Sequence, residues 1–381
     1  MNIRRIKIED LKRILFLIAY TFLLFKNMFS SVSKYYIVGN VMKITGIIGY
    51  IILIFIAVLK LKKISIKKAL IYIPLIIIFF IISYKIDNNY LIALALIILC
   101  IDTLDFKMFI KYDLVIKVLF VIILFILFKL GMTTNFFLYT QTGKLRSSMG
   151  FMHPNSFGLY IFSIYADIIY IRYKKLDFKD FILGILLFLI IIFTSRSRTS
   201  SFGIVLLYFL TFISKKIKKT EKLNKNIAII APLFFLILVI FLIYKYNSSK
   251  LYINLNEFLS MRLYYWRQFY NNYKVNLFGN KVYYVGSYEA FHYNRTPRIL
   301  DNSYLYIILN YGVFGYIALY YIFIKIINKA YLNKNNVIII IMLSYFILGF
   351  SEVIIFSFYL NVFILYFYEC LSDKNTVVRS D

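Results

Sequence analysis

Histidine, cysteine and acidic residues are scarce in this chain, and each shortage closes off a class of chemistry. Two histidines, His153 and His292, and no Asp-x-Asp pair support neither a zinc site nor a metal-bound nucleotide-sugar site. Chemistry without metal or cofactor is therefore expected. The two cysteines, Cys100 and Cys370, fall at predicted cytoplasmic helix ends, so no external disulfide is expected and both read as packing residues. No Gly-x-x-x-x-Gly-Lys-Ser/Thr loop occurs, so ATP hydrolysis is not expected and energy must come from elsewhere. Ala, Gly and Pro are sparse beside Ile, Lys, Asn, Tyr and Phe; that AT-rich coding bias points to a single-membrane bacterial host.

Polar surface is the largest shortage. At 62% hydrophobic and 16% charged residues over 381 positions, the chain cannot cover a water-soluble globule. The expected class is all-α: a polytopic integral membrane protein with about 12 transmembrane helices and one large extracytoplasmic loop. Lipid forces each backbone amide to pair within its own helix, and a span needs roughly 20 apolar residues. The predicted spans are 14–31, 38–59, 69–83, 90–101, 114–130, 156–171, 181–193, 201–213, 227–244, 303–324, 336–350 and 353–370. Short alternating strands of a barrel are missing. Basic residues before the first run and Ser31-Val32-Ser33 after it resemble a cleaved signal peptide, but eleven further spans make it an ordinary first helix. No predicted span carries the buried carboxylates of a proton-coupled pump; Glu352, before the last span, comes nearest.

The net charge of +28 would suggest nucleic acid if it were not gathered in gaps between apolar runs, so no nucleic-acid partner is expected. With the N-terminus inside, the inner segments hold 27 Lys and Arg and the short outer loops 7. That asymmetry puts both termini in the cytoplasm. The predicted organisation is 1–244 as helices one to nine, 245–300 as an external loop with an interfacial helix, 301–371 as helices ten to twelve, and 372–381 as a cytoplasmic tail.

Four clusters fall on the predicted outer face. Thr194-Ser195-Arg196-Ser197-Arg198-Thr199-Ser200 sets two arginines among small hydroxyls; the planar guanidinium grips phosphate bidentately, although it also snorkels to headgroups. Residues 257–270, with Arg262, Tyr264, Tyr265, Trp266 and Arg267, read as one amphipathic interfacial helix, its aromatics at headgroup depth and its arginines able to face an anion. Asp301-Asn302 stands where an N-cap is wanted and would equally aim a carboxylate outward; Gly312 and Gly315 read as close-approach residues. Residues 146–158 join Arg146, His153, Pro154 and Asn155 ahead of the sixth span; a helix start accounts for the Pro but not for Arg146 with His153.

In this order the clusters resemble the Wzy-type repeat-unit polymerases and the related O-antigen ligases, membrane glycosyltransferases that use lipid-pyrophosphate donors. The resemblance rests on Gly150-Phe151-x-His153-Pro154-Asn155, Ser195-Arg196, Arg262 with Trp266, Leu277-Phe278-Gly279, and Asp301-Asn302 with Gly312 downstream. It implies that Arg196 and Arg262 hold the pyrophosphate. Ligases carry His-Asn where this chain has Asp301-Asn302, which favours the polymerase and leaves the base between Asp301 and His292. The implied catalytic set is Asp301, Arg196 and Arg262, with Arg146, His153, Asn155, Arg198, Trp266, Arg267, His292 and Asn302 at the substrate. The implied partners are a polyprenyl-pyrophosphate-linked oligosaccharide, membrane lipids, a polysaccharide flippase and a chain-length regulator. Loop aromatics (Tyr264, Tyr265, Trp266, Tyr283, Tyr284, Tyr288, Tyr293) would offer flat faces to sugars. A ligase, a flippase and a non-catalytic scaffold are the competing readings.

Overall fold

Most of the long apolar runs become α-helices, and the computed structural model describes residues 2–33, 39–61, 65–101, 104–139, 143–217, 220–246 and 249–371. The helices are α1 (Asn2–Phe29), α2 (Gly39–Leu61), α3 (Ile66–Ile86), α4 (Tyr90–Cys100), α5 (Phe106–Lys129), α6 (Pro154–Arg172), α7 (Phe178–Phe193), α8 (Arg198–Lys216), α9 (Thr220–Tyr244), α10 (Lys250–Phe258), α11 (Arg262–Asn272), α12 (Ser287–His292), α13 (Ser303–Asn310), α14 (Gly312–Leu332) and α15 (Asn336–Leu348). Strands β1 (Phe137–Tyr139) and β2 (Leu145–Ser147) form an antiparallel hairpin pairing Leu138 with Arg146. The predicted tail 372–381 and Lys34 lie outside the described residues.

Among the described residues, four helices are long and apolar enough to cross a membrane: Gly39–Lys60, Ala69–Ile86, Glu221–Tyr244 and Gly312–Leu332. Large apolar side chains such as Ile51, Phe80, Phe234 and Ile317 stand exposed along them, the pattern of helices solvated by lipid. The core instead surrounds α15, nearly all of whose residues are buried against α6, α8, α9 and α14. The chain is a helical, multi-pass membrane protein.

Helix ends sort into two groups. At one end, Ser33 meets Gly150, Lys281 meets Asp87, Ser147 meets Thr194, Arg198 meets Ser260 and Ser303 meets Gly349. These are the six segments read as outer loops. At the other end, Lys60 donates to the carbonyls of Leu99 and Cys100 at 3.1 and 2.9 Å, Arg172 pairs with Asp180, Asn336 donates to Ser214 and Tyr368 donates to Leu104. Asp177 and Asp180 form a capping box that starts α7, satisfying amides the first turn leaves free.

Four expectations need correction. The tenth span, read as continuous over 303–324, breaks between α13 and α14 at Gly312, whose φ is +72°. The Asn276-Leu277-Phe278-Gly279 turn wedges into this break: Val313 and Phe314 donate to the Asn276 and Leu277 carbonyls at 3.0 Å each, and a Cβ on Gly312 would lie 2.3 Å from the Gly279 nitrogen. Gly312 thus makes room for a loop rather than for a neighbouring helix. The interfacial helix read over 257–270 is two helices, α10 and α11, separated by Ser260 and Met261 in the left-handed region. The last span, read over 353–370, is buried but irregular up to Asn361 and then a 3-10 helix from Val362 to Cys370.

The fourth correction concerns buried charge. Lys117 lies 2.6 Å from Asp113 and 3.0 Å from Asp167, with all three side chains fully buried, and Tyr20 donates to Asp113 at 2.6 Å. Carboxylates therefore do lie inside the bundle. Asp167 falls inside the predicted span 156–171 and contradicts the reading directly, whereas Asp113 escapes it because α5 begins at Phe106, eight residues before the predicted span. The cluster ties α1, α5 and α6 together.

Candidate active site

Three turns at the loop-bearing end present the arginines, and each contains non-glycine residues forced into left-handed backbone. Met149 (φ +51°) lies between Arg146 and His153, Arg196 itself has φ +50°, and Ser260 and Met261 (φ +57° and +65°) precede Arg262. Such conformations cost about 1–3 kcal/mol each, persist only where the surroundings enforce them, and gather at functional sites. Here the enforcement is visible: the Arg196 amide donates to the Ile191 carbonyl at 2.7 Å and the Met261 amide to Asn256 at 2.7 Å.

These turns enclose a cavity of about 720 Å³ lined by Lys144, Arg146, Arg196, Arg198 and Arg262, with His153, Asn155, Tyr139, Tyr265, Ile192 and Phe193, and with Asp301 as its lining carboxylate. Helices α6, α8, α11 and α13 all begin at it. Each such N-terminus carries roughly half a positive charge. Four arginines face Asp301, with Glu352 bonded to Arg262 behind the wall, and the four helix ends add to a positive lining suited to an anion.

The side chains interlock behind the lining. Arg262 Nη2 stands 3.0 Å from Glu352 Oε1 and 3.4 Å from Asp301 Oδ2. Asn155 Nδ2 donates to the same Glu352 oxygen at 2.8 Å, while Arg146 donates to the Asn155 side chain and, through Nε, to the Ser195 carbonyl at 3.1 Å. Asn302 caps α13 by accepting from the Leu305 amide at 2.8 Å and donates to the Phe350 carbonyl at 2.7 Å. That cap holds Asp301, one residue earlier, at the cavity wall.

Burial sets the protonation states. Burial drives the Glu352 carboxyl up to about 7, and nearby Asp301 adds to this, against the opposing pull of Arg262 and Arg146. The His153 imidazole is pushed down to about 4 by burial and by Arg146 and Arg262, with Asp301 opposing. His153 is consequently neutral near pH 7, and its Nδ1 accepts the Asn155 amide as the N-cap of α6. Burial also lowers Arg146, while for Arg262 the carboxylates of Glu352 and Asp301 outweigh burial and raise it.

Seven of the eleven expected site residues line the cavity, namely Asp301, Arg196, Arg262, Arg146, His153, Asn155 and Arg198, and Asn302 caps α13 behind its wall. The other three lie away from it. Trp266 is fully buried below it, edge-on to Phe350 at 5.3 Å, rather than anchored at headgroup depth. Arg267 turns outward to the Tyr246 carbonyl and ring. His292 is exposed on α12, stacked on Tyr288. Of the loop aromatics, Tyr265 lines the cavity, Tyr283 and Tyr293 are exposed, and Tyr284 is packed against Tyr306. Glu352 belongs to the site and stood outside the expected set; its sequence signal was a lone acid in an apolar stretch.

Residues 183–320 match the O-antigen ligase family. The match agrees with the Wzy and O-antigen ligase-like resemblance carried by the motifs, and it takes in Arg196, Arg198, Arg262 and Asp301. Arg146, His153 and Asn155 fall outside the family segment yet line the same cavity, and Glu352, also outside it, is bonded to Arg262 behind the wall. No curated protein and no solved structure matches the chain.

Proposed function

We propose that this protein polymerises polyprenyl-pyrophosphate-linked oligosaccharide units at the outer leaflet of a bacterial plasma membrane, through a cavity facing outward in a twelve-span chain with both ends inside. The arginine-lined cavity at four helix N-termini carries this reading. The growing glycan leaves its pyrophosphate and passes to a sugar hydroxyl of the incoming unit. As the C–O bond to pyrophosphate breaks, charge builds on the leaving group, and Arg196 and Arg262 hold it more tightly than in the ground state. Asp301 takes the proton of the attacking hydroxyl, a contribution of about 100-fold to 10,000-fold in rate. One direct displacement inverts the anomeric carbon. The bond to pyrophosphate supplies the free energy, so no nucleotide is consumed.

A ligase is the second reading, and the name of the matching family favours it. Donor chemistry is identical in the two; the acceptor differs. Asp301 in place of the ligases' histidine is what favours the polymerase.

Deleting the gene and resolving polyprenyl-linked glycans by size and membrane side separates the readings. Single units accumulating outside, rescued by wild type but not by Arg196→Ala, is the expected result. Long lipid-linked chains that persist identify a ligase. Units trapped inside identify a flippase and overturn the site.

A further inference from the structure

Arg262 is held by two carboxylates of unequal standing, and the inequality has a use. Both contact the same nitrogen, Nη2. Glu352 is the nearer at 3.0 Å, with a side chain 5% exposed; Asp301 is the farther at 3.4 Å and 28% exposed, on the cavity wall. Glu352 is further tethered by Asn155 at 2.8 Å, itself bonded to Arg146. Its carbonyl accepts from Ser303 Oγ at 2.6 Å, and that hydroxyl accepts the Ile354 amide at 2.9 Å. Among the described residues, no comparable set of tethers holds the Asp301 carboxylate.

We infer that Glu352 is a positioning residue that keeps Arg262 and Arg146 aimed at the cavity, and that an arriving pyrophosphate displaces Asp301, not Glu352, from Arg262. The inference rests on the pyrophosphate reading above. An entering anion competes with the existing counter-ions of the arginine, and the longer, more hydrated contact yields first. Asp301 then becomes free to act as base only once donor is bound. Before that its charge is engaged with Arg262, so the site does not deprotonate an acceptor or water in the absence of donor.

The two carboxylates consequently have opposite effects on donor affinity. Removing the Asp301 charge removes a competitor; removing the Glu352 charge removes an anchor. Glu352 is faced by Arg262 of α11, Arg146 of β2, Asn155 of α6, Thr199 of α8 and Asp301 ahead of α13. Its carboxyl, raised to about 7 by burial, loses its charge as pH falls below that value. Donor affinity should weaken with it.

The test is equilibrium binding of radiolabelled farnesyl pyrophosphate to the full-length protein in detergent micelles between pH 6 and 8. At pH 8, Asp301→Asn should bind about threefold more tightly than wild type, and Glu352→Gln about tenfold more weakly, the size of one charge-assisted hydrogen bond. Glu352→Asp should recover part of the loss, and wild type should weaken more from pH 8 to 6 than Glu352→Gln, whose remaining slope is the ionisation of the pyrophosphate itself. If both neutral variants shift affinity the same way, or wild type and Glu352→Gln show the same pH slope, the inference is overturned while the pyrophosphate site stands. If wild type does not bind, or Arg262→Ala binds equally well, the pyrophosphate reading itself falls. Thermal unfolding in the same detergent separates a misfolded variant, and the Asp301→Asn and Glu352→Asp results then decide.

Discussion

Two groups of charged residues in this chain are built on opposite plans. Inside the bundle, Lys117 sits between Asp113 and Asp167 with Tyr20 alongside, and water reaches none of them. At the loop-bearing end, Lys144, Arg146, Arg196, Arg198 and Arg262 share a water-accessible cavity with Asp301, while Glu352 is sealed behind it. In the first group a single lysine serves two carboxylates, all three sealed within the protein. In the second, positive charge exceeds what the protein itself neutralises. A sealed group can only hold helices together, whereas an open group short of counter-charge has binding energy left for a ligand.

Substitutions that leave the fold but empty the cavity should separate the two plans. The largest effect is expected from Lys117→Ala, which strands two buried carboxylates and should cost about 3–5 kcal/mol of stability, read by thermal unfolding in detergent. Arg262→Ala strands one sealed carboxylate, Glu352, which can take up a proton near pH 7, so it should cost less stability than Lys117→Ala while lowering polymer synthesis about 100-fold to 1,000-fold, the loss typical of one transition-state donor. Replacing Lys117, Asp113 and Asp167 together by Met, Leu and Leu sharpens the contrast. A purely structural cluster tolerates that exchange, with stability unchanged or raised by about 1–4 kcal/mol and activity retained; loss of activity in a folded triple variant would show that the sealed charges also work.

Smaller effects concern His153 and Arg267. His153, held neutral with its proton affinity down at about 4, acts as a helix cap. His153→Ala should cost about 1 kcal/mol of stability, and His153→Asn should leave the pH dependence of activity near neutrality unmoved. A limb near pH 7 that disappears in His153→Asn would make the imidazole the titrating group in place of Glu352. Arg267→Ala, outside the cavity, should change activity less than about twofold, in keeping with a surface substitution.

Much of this was legible in the residues. Apolar run length marks most of the helices, and the alternation of basic gaps divides the loops into the two sets that the fold gathers at opposite ends, through contacts such as Ser33 with Gly150 and Lys60 with Leu99. Arginine beside small hydroxyls or beside an aromatic run marks Arg196, Arg198 and Arg262. Asp113 and Lys117 were also within reach, being one helical turn apart on the same face. Other features had no local signal. The break at Gly312 depends on a turn more than thirty residues earlier in the chain, and Trp266 and Arg267, adjacent in sequence, point to opposite environments.

Composition by itself determined that this chain enters a membrane as helices, because backbone amides in lipid must pair locally and the apolar content leaves no other solvent. Residue type likewise determined what kind of ligand its arginines can hold. Only the tertiary structure decided which charges confront each other. Coulomb interactions and desolvation act through space, so Glu352 acquires its place from Arg262, 90 positions away in sequence, and Asn155, 197 away. Nothing in the neighbourhood of Glu352 along the chain announces either.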